Sequence, residues 1–231
     1  MENNNITRRN FLKVLGLSSV AVATSGIVGC NDIQKDEAGG KSLSSGKTNR
    51  GPMTMRENPA NGDKVSILGY GCMRFPTLKE ADAEGNNIDQ ETTNQLIDYA
   101  MEHGVNYYDT SPVYLRGFSE RATGIALKRH DRNKFFIATK LSNFSDYSFE
   151  NSVKMYNRSF KELQVDYIDY YLLHSIGGNI QNFEDRYINN GIMDFLLKER
   201  EAGKIRNLGF SYHGNAEGYE HLLSLHEKYH W

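Results

Sequence analysis

The feature that most constrains the fold is an alternation of short apolar runs with stretches that have helical periodicity. The apolar runs lie at residues 64–74, 105–109, 135–140, 167–174 and 205–211. Each is followed by apolar residues at helical spacing, and Asp89 and Ser119 are placed to cap the first two helices. Five consecutive strand-then-helix units predict a parallel sheet. The apolar positions of the helices include Leu96, Ile97, Ala122, Ile125, Tyr156, Leu163, Leu196, Tyr219, Leu222 and Leu223.

Polar residues close four consecutive runs, namely Asp109, Lys140, His174 and Ser211. Successive strands contribute to one site at the C-terminal mouth of a (β/α)8 barrel, whereas an open doubly wound sheet gathers its ligand at one switch point. No Gly-x-Gly-x-x-Gly fingerprint follows the first run, which further disfavours the doubly wound sheet. We therefore expect an α/β fold, a TIM barrel of which residues 53–231 supply about the first five βα units. Because eight units need roughly 250 residues, we expect the chain to continue past Trp231.

Composition excludes several function classes. The 231 residues are 39% hydrophobic and 24% charged, which is ordinary for a globular domain. The net charge is −2, and lysines and arginines are scattered among acids, so no nucleic-acid partner is expected. The two cysteines, Cys30 and Cys72, cannot form a disulfide framework or a cysteine-based metal site. No metal site is expected in residues 53–231.

The N-terminus has the features of an export signal. The paired Arg8 and Arg9 resemble a twin-arginine motif, and the following apolar stretch is too short to span a bilayer comfortably. The residues before Cys30 resemble a bacterial lipobox, in which the cysteine is lipidated. For Arg8 and Arg9 the alternative is the basic region of an ordinary Sec signal. For Cys30 the alternative is a cysteine that lies near a plain cleavage site by coincidence. Residues 1–30 are predicted to be a Tat signal with a lipobox, giving a periplasmic or extracytoplasmic protein anchored to the membrane through Cys30. The polar residues 31–52 are predicted to be a flexible linker.

Five motifs together resemble the aldo-keto reductase family. In order, they are Leu-Gly-Tyr-Gly-Cys-Met-Arg, His-Gly-Val-Asn-Tyr-Tyr-Asp-Thr-Ser-Pro-Val-Tyr, Ile-Ala-Thr-Lys, Asp-Tyr-Tyr-Leu-Leu-His and Gly-Lys-Ile-Arg-Asn-Leu-Gly-Phe-Ser. The resemblance implies hydride transfer between a nicotinamide cofactor, NADP(H) or NAD(H), and a small-molecule carbonyl or alcohol substrate. It covers the chain from about Met53 to Trp231.

The resemblance also implies a catalytic tetrad of Asp109, Tyr114, Lys140 and His174. Tyr114 would donate the proton that a developing alkoxide needs. A phenol is a reluctant acid at neutral pH until a nearby cation stabilises the phenolate, and Lys140 would supply that cation. Asp109 would hold the ammonium group in place, and His174 would orient and polarise the carbonyl.

The cofactor-binding residues implied by the resemblance are Gly71, Cys72, Met73, Asp109, Ser211 and Tyr212. The first three would act through backbone and shape, and Ser211 would contact the nicotinamide carboxamide. The sequence departs from the family in carrying Tyr212 where many members have asparagine. The chain further resembles a subgroup with a ferredoxin-like C-terminal extension, which implies 4Fe-4S clusters beyond Trp231.

Two other functions remain open at this stage. One is a nicotinamide-binding sensor or scaffold that keeps the fold but turns over little substrate. The other is an inactive fragment whose barrel cannot close. Substrate identity is not predicted, because it depends largely on loops at the barrel mouth.

Overall fold

The computed structural model describes residues 52–177 and 180–231. The sequence predictions for Arg8, Arg9 and Cys30 lie outside these residues. None of the helices in the described ranges combines the length and apolar character needed to cross a bilayer.

An antiparallel hairpin precedes the main sheet and revises the first predicted strand. Strand β1 (Met55–Glu57) pairs with β2 (Lys64–Ser66). The extended segment expected at 64–74 is therefore divided, because only β3 (Tyr70–Gly71) joins the parallel sheet. Ile67 and Leu68 lie between β2 and β3 and are 61% and 59% exposed. An apolar run indicates an extended segment, but long-range contacts decide which sheet it joins.

The main sheet is parallel, and its five strands follow chain order. After β3 come β4 (Tyr107–Asp109), β5 (Phe136–Leu141), β6 (Ile168–Gly177) and β7 (Ile205–His213). Each strand pairs with the next strand along the chain, so the order never reverses. A doubly wound sheet requires a reversal, whereas successive parallel neighbours are the (β/α)8 arrangement. The predicted α/β fold of TIM-barrel type is confirmed, and the described strands form an open part of the barrel.

Helices connect the strands and cover one face of the sheet. They are α1 (Gln90–Glu102), α2 (Ser119–Leu127), α3 (Phe149–Leu163), α4 (Ile180–Phe183), α5 (Ile192–Glu201), α6 (Ala216–Ser224) and α7 (His226–Tyr229). Short 3-10 turns lie at Tyr114–Gly117 and Arg132–Lys134, and a π-helical turn lies at Glu184–Ile188. The predicted cap of α1 is confirmed, because the Asp89 carboxylate accepts the Thr92 N–H at 3.0 Å.

Two details of helix α2 differ from the sequence prediction. Ser119 is the first helical residue rather than the N-cap, since Phe118 precedes it in a helical conformation and makes no side-chain cap. The Ser119 hydroxyl donates to the Cys72 carbonyl at 2.6 Å and so ties α2 to the residue after β3. Ile125 is 37% exposed and lies at the margin of the buried face. Tyr219 and Leu223 of α6 are 45% and 46% exposed, so they also lie at the margin of the buried face.

The core lies between the sheet and its covering helices. Fully buried strand residues include Tyr108, Ile137, Leu141, Ile168, Tyr171 and Leu173, and their helical partners include Ile97, Leu127, Tyr156, Leu163, Ile192 and Leu196. Thr139 of β5 faces the helices, because its hydroxyl donates to Glu120 of α2 at 2.6 Å. Side chains alternate along a strand, so the next residue, Lys140, points to the opposite face. This alternation places the amine inside the partial barrel.

Candidate active site

The acid and the amine of the predicted tetrad form a contact pair at the C-terminal ends of β4 and β5. Lys140 Nζ donates to Asp109 Oδ1 at 2.6 Å and to the Thr110 carbonyl at 2.7 Å. Lys140 is only 4% exposed, so its charge is removed from bulk water. An ammonium group has three hydrogens, and within residues 52–177 and 180–231 only these two acceptors receive one. Lys140 therefore retains a hydrogen for a further polar group.

The aromatic ring of Tyr114 lies next to the ammonium group. Lys140 Nζ lies 4.8 Å from the centroid of the Tyr114 ring. Tyr114 opens a tight turn in which Leu115, Arg116 and Gly117 all have positive φ, of 49°, 59° and 93°. Left-handed conformations cost energy in residues other than glycine, and they cluster at functional sites. The turn is braced from outside by Arg116, which donates to Asn87 Oδ1 at 2.6 Å.

His174 reaches the same position through a bulge in β6. The β6–β7 register shifts between Leu173 and Ile176, and Ser175 has a φ of 51°. A bulge bends the strand and redirects side chains. The His174 ring lies edge-on to the Tyr114 ring, with centroids 5.8 Å apart. The structure thus brings all four predicted catalytic residues together.

The environment of His174 keeps the imidazole neutral. Burial lowers the pKa of His174 to about 4, and the nearby charges of Lys140, Arg186 and His213 act in the same direction. At neutral pH the ring is therefore uncharged, with one nitrogen that donates and one that accepts. A neutral imidazole can donate a hydrogen bond to a carbonyl oxygen without adding another positive charge.

Two serines that contact His174 carry no role in the sequence prediction. His174 Nδ1 lies 2.5 Å from Ser142 Oγ and 3.3 Å from Ser111 Oγ. A sequence signal for them exists, since Ser142 stands two residues after Lys140 and Ser111 two after Asp109. In an extended segment such spacing directs side chains to the same face.

Arg186 and Phe144 are also absent from the sequence prediction. Arg186 is 5% exposed and donates to the His174 carbonyl at 3.0 Å and to Asn143 Oδ1 at 3.3 Å. In the described part of the chain no carboxylate lies within ion-pairing distance of Arg186. The Phe144 ring lies 4.9 Å from the guanidinium and 5.0 Å from the His174 ring. A buried cation and an exposed aromatic ring thus flank the imidazole.

The residues around β3 that were predicted to bind the cofactor differ in accessibility. Gly71 pairs with Asp109, and a Cβ added there would meet no atom within 4 Å. Met73 is 51% exposed, whereas the Cys72 side chain is fully buried. Cys72 contributes its N–H to the Asp109 carbonyl at 2.8 Å, and its role towards a cofactor stays a prediction. Open space therefore lies beside Asp109 on the β3 side.

The two predicted residues of β7 face different surroundings. Ser211 Oγ accepts the Ser175 N–H at 2.7 Å, and its own O–H donates to no acceptor in residues 52–177 and 180–231. Such a hydroxyl suits a carboxamide oxygen, so Ser211 fits the nicotinamide end of the predicted cofactor. The Tyr212 ring lies 5.7 Å from that of Tyr219, and its hydroxyl donates to Asn215 Oδ1 at 3.4 Å. Tyr212 is thus oriented towards helix α6.

The four central residues have the chemistry of proton transfer. A phenol stands beside a buried ammonium group, and a neutral imidazole stands across from the phenol. Among the described residues no group of three or more His, Cys, Asp or Glu side chains is placed to hold a metal ion. The Tyr114 hydroxyl and a protonated nitrogen of His174 are both hydrogen-bond donors of the kind that a carbonyl oxygen accepts.

Comparison with known proteins identifies relatives of this chain. The sequence model described as the aldo/keto reductase family matches residues 67–231. A probable aldo-keto reductase 1 from Glycine max is 32% identical over 159 residues, which cover 65% of this chain and 42% of that protein. An aldo-keto reductase from Schizosaccharomyces pombe, whose name specifies NADP(+), is 29% identical over 173 residues, covering 69% of this chain and 46% of that protein.

A solved structure gives the same result for the fold. The holo form of an aldo-keto reductase from Bacillus halodurans is similar to this chain with a TM-score of 0.54 and 30% identity. The match covers 69% of this chain and 50% of that one. The chain thus spans about half the length of the relatives that it matches.

Proposed function

The chain belongs to the aldo/keto reductase family, and from the geometry of its site we propose that it is an oxidoreductase that reduces an aldehyde or ketone to an alcohol, or catalyses the reverse. The observation that carries this proposal is the position of the Lys140 ammonium group. It contacts Asp109 Oδ1 at 2.6 Å and lies 4.8 Å from the centre of the Tyr114 ring. A phenol so placed can lose its proton to a developing alkoxide, because the cation stabilises the phenolate that remains.

Each residue has one task in the reduction. A bound nicotinamide would supply a hydride to the carbonyl carbon. Tyr114 donates its O–H proton to the carbonyl oxygen, and the O–H bond electrons stay on the phenolate. Lys140 stabilises that phenolate, and Asp109 holds Lys140 in position. His174 donates a hydrogen bond to the same oxygen and fixes its direction. Solvent then returns a proton to Tyr114.

NADP(H) or NAD(H) is the proposed cofactor. The Ser211 hydroxyl retains a hydrogen that a carboxamide oxygen would accept, and Gly71 leaves open space beside Asp109. Met73 is exposed next to that space. The relative whose name specifies NADP(+) supports the phosphorylated form. A role for Tyr212 stays a prediction.

The proposal is tested by replacing the proton donor. We expect Tyr114→Phe to lower carbonyl-dependent oxidation of NADPH by about 10²–10⁴-fold, the usual contribution of a general acid. Cofactor binding, followed by protein fluorescence, should change little because the ring remains. Tyr99→Phe is the control, since Tyr99 lies 57% exposed on α1. Unchanged reduction by Tyr114→Phe would disprove the role of the phenol. The sensor or scaffold alternative predicts nicotinamide binding with almost no reduction by either protein.

We also propose that the enzyme acts outside the cytoplasm, exported by the Tat translocon and anchored through a lipid on Cys30. The support is the sequence around Arg8, Arg9 and Cys30. Replacing both arginines with lysine should retain the protein in the cytoplasm, and Cys30→Ser should abolish lipid labelling. Export of the double-lysine variant would contradict the Tat route. The iron–sulphur extension also stays a prediction, and codons for Cys-x-x-Cys-x-x-Cys downstream of Trp231 would test it.

A further inference from the structure

Three buried polar side chains form a row behind the reactive edge of the site. Ser111 and Ser142 are 0% and 3% exposed, and His174 is 8% exposed. The Ser111 and Ser142 oxygens are 2.9 Å apart, and Ser142 Oγ is 2.5 Å from His174 Nδ1. The Val113 N–H donates to Ser111 Oγ at 3.4 Å and starts the row. Each hydroxyl in the row must place one hydrogen.

One arrangement of hydrogens satisfies the whole row through its shortest contacts. The Val113 N–H donates to Ser111, the Ser111 O–H donates to Ser142, and the Ser142 O–H donates to His174 Nδ1. Every hydroxyl then donates once and accepts once. In this arrangement Nδ1 is an acceptor, so the single proton of the neutral imidazole resides on Nε2.

The opposite direction leaves a buried hydroxyl poorly satisfied. If His174 Nδ1 carried the proton and donated to Ser142, one serine O–H would need another acceptor. The remaining candidate is the Lys140 carbonyl, which is 3.5 Å from Ser142 Oγ. A bond of that length is weak, and an unsatisfied buried donor costs roughly 1–3 kcal/mol. The row therefore favours the tautomer protonated at Nε2.

We propose that Ser142, supported by Ser111, is a positioning residue that holds His174 as the tautomer protonated at Nε2. This inference rests on the proposed function. A carbonyl oxygen has only lone pairs to offer, so His174 can polarise it only through a protonated nitrogen. Nε2 is the ring nitrogen that makes no hydrogen bond within residues 52–177 and 180–231. The other tautomer would present a lone pair to the substrate oxygen and repel it.

The charges around the His174 ring keep it neutral, so only the position of its single proton can vary. The charged and titratable groups that act on His174 are Lys140, Arg186 and His213, and Asp109 is the carboxylate paired with Lys140. Burial and these positive charges keep the imidazole neutral at neutral pH. The position of its one proton is then decided by the serine row.

Nitrogen NMR of the full chain tests the tautomer without requiring catalysis. The chain has seven histidines, and the His174 signals are those that disappear in His174→Gln. We expect the wild type to show a protonated Nε2 and an unprotonated Nδ1. Ser142→Ala should shift both signals towards a mixture of tautomers, and Ser142→Thr, which keeps a hydroxyl, should restore them. Ser159→Ala is the control, because Ser159 is a buried serine whose hydroxyl donates to the Met155 carbonyl.

Two results would overturn the proposal: a protonated Nδ1 in the wild type, or His174 signals that stay unchanged in Ser142→Ala. If Ser142→Ala does not fold, Ser111→Ala removes the next hydroxyl in the row. This variant should give a smaller shift of the His174 signals in the same direction, and no shift would also overturn the proposal.

For carbonyl reduction we expect Ser142→Ala to lower kcat about tenfold, which corresponds to about 1.4 kcal/mol, and to leave the KM for cofactor near its original value. An absence of reduction in the wild type would refute the proposed function while leaving the NMR result intact.

Discussion

The two ends of the parallel sheet use charged side chains in opposite ways. At the N-terminal ends of β6 and β7, Asp169 accepts from Arg132 at 2.5 Å and from Arg206 at 2.9 Å. Arg206 also contacts Asp63, the residue before β2, at 2.9 Å. Asp169 further accepts the Ile137 N–H at 2.9 Å. Two carboxylates and two guanidinium groups thus neutralise one another and join the hairpin to the sheet.

The C-terminal end is less completely paired. The Lys140 ammonium has one carboxylate partner, Asp109, and lies beside the ring of Tyr114. Arg186 is buried among neutral partners in the described residues. Of the five described residues other than glycine that have positive φ, three lie here, namely Leu115, Arg116 and Ser175.

The difference indicates that the charged residues at one end of the sheet stabilise the fold, whereas those at the other end are available for chemistry. Pairing of charges stabilises the N-terminal end and leaves neither Asp63 nor Asp169 without a cationic partner. Incomplete pairing and backbone strain at the C-terminal end cost stability but leave groups available for a ligand. Mutations at the two ends should therefore change different quantities.

Replacing the central amine should have the largest effect, and on activity alone. We expect Lys140→Met to lower carbonyl reduction by about 10²–10⁴-fold, because the phenolate of Tyr114 loses its stabilising cation. The free energy of unfolding should change by no more than about 1 kcal/mol, since the Asp109 side chain is 32% exposed and water can solvate it. Lys154→Met on the exposed face of α3 is the control. If Lys140→Met lost much stability while its folded fraction kept full activity, Lys140 would serve stability rather than chemistry, which is the role assigned to the N-terminal end.

At the other end, Asp169→Ala should change stability and leave the chemistry intact. Asp169 is 1% exposed, and its removal leaves Arg132, Arg206 and the Ile137 N–H without their acceptor. We expect a loss of about 3 kcal/mol in urea unfolding, at the lower end of values for broken buried pairs, because water reaches both guanidinium groups. Activity per folded molecule should stay near that of wild type. Glu201→Ala, at an exposed position of α5, should stay within about 0.5 kcal/mol.

Dependence on pH separates two buried groups near the active site. The pKa of His174 is lowered to about 4 by burial and neighbouring cations, so the unfolded chain binds more protons between pH 4 and its ordinary value of 6.5. The contribution of His174 to the free energy of unfolding is complete above pH 6.5 and is lost as the pH falls towards 4. Burial raises the pKa of Glu120 to about 7 from 4.5, so its contribution is complete below pH 4.5 and is lost as the pH rises towards 7.

The two contributions oppose each other in the wild type, and single variants should reveal them. Relative to wild type, Glu120→Gln should become more stable as the pH rises from 4.5 to 6.5, because the His174 contribution then stands alone. His174→Gln should show the opposite trend. Urea unfolding over a pH series measures both slopes, and parallel curves for all three proteins would contradict these assignments.

Relief of backbone strain should give the smallest effect. Arg116 is exposed and has a φ of 59°. We expect Arg116→Gly to raise the free energy of unfolding by about 0.5–1 kcal/mol, because glycine adopts this conformation without strain. Carbonyl reduction should fall a few-fold because the turn that holds Tyr114 becomes less rigid. Asn87→Ala serves as the comparison, because it removes the contact to Arg116 together with the Asn87 Nδ2 bond to the Leu78 carbonyl at 3.1 Å and leaves the φ of Arg116 to a non-glycine residue. A gain in both stability and activity would show that the strain has no role in positioning Tyr114.

The sequence predicts the parts of the fold that depend on local pattern. Asp109, Lys140 and His174 are recognisable because each closes an apolar run, and strand ends of consecutive units meet at one edge of the sheet. The first segment was misjudged because Ile67 and Leu68 are apolar yet exposed, and pairing between β1 and β2 is a long-range property. Ser119 was misassigned as a cap because serine at a helix start is a statistical signal. Its real partner, the Cys72 carbonyl, lies 47 residues away.

The remaining members of the site depend on contacts that no local pattern encodes. Arg186 lies beside His174 because a π-helical turn follows β6, and nothing in the local sequence indicates that turn. Ser142 could have been found from its spacing to Lys140. Its contact with His174 Nδ1, however, requires the bulge at Ser175, which only the β6–β7 register reveals.

Transfer of deuterium from cofactor to product tests the central claim most directly. Wild-type protein and Lys140→Met are each incubated with an aldehyde and NADPH that carries deuterium at the reactive position of the nicotinamide, and the alcohol is analysed by mass spectrometry. We expect one deuterium on the former carbonyl carbon with wild type, and at most about one hundredth as much labelled alcohol with Lys140→Met at equal folded concentration. Equal labelling by the two proteins, or no transfer of deuterium by wild type, would contradict the claim that the C-terminal end of this sheet is built for hydride and proton transfer.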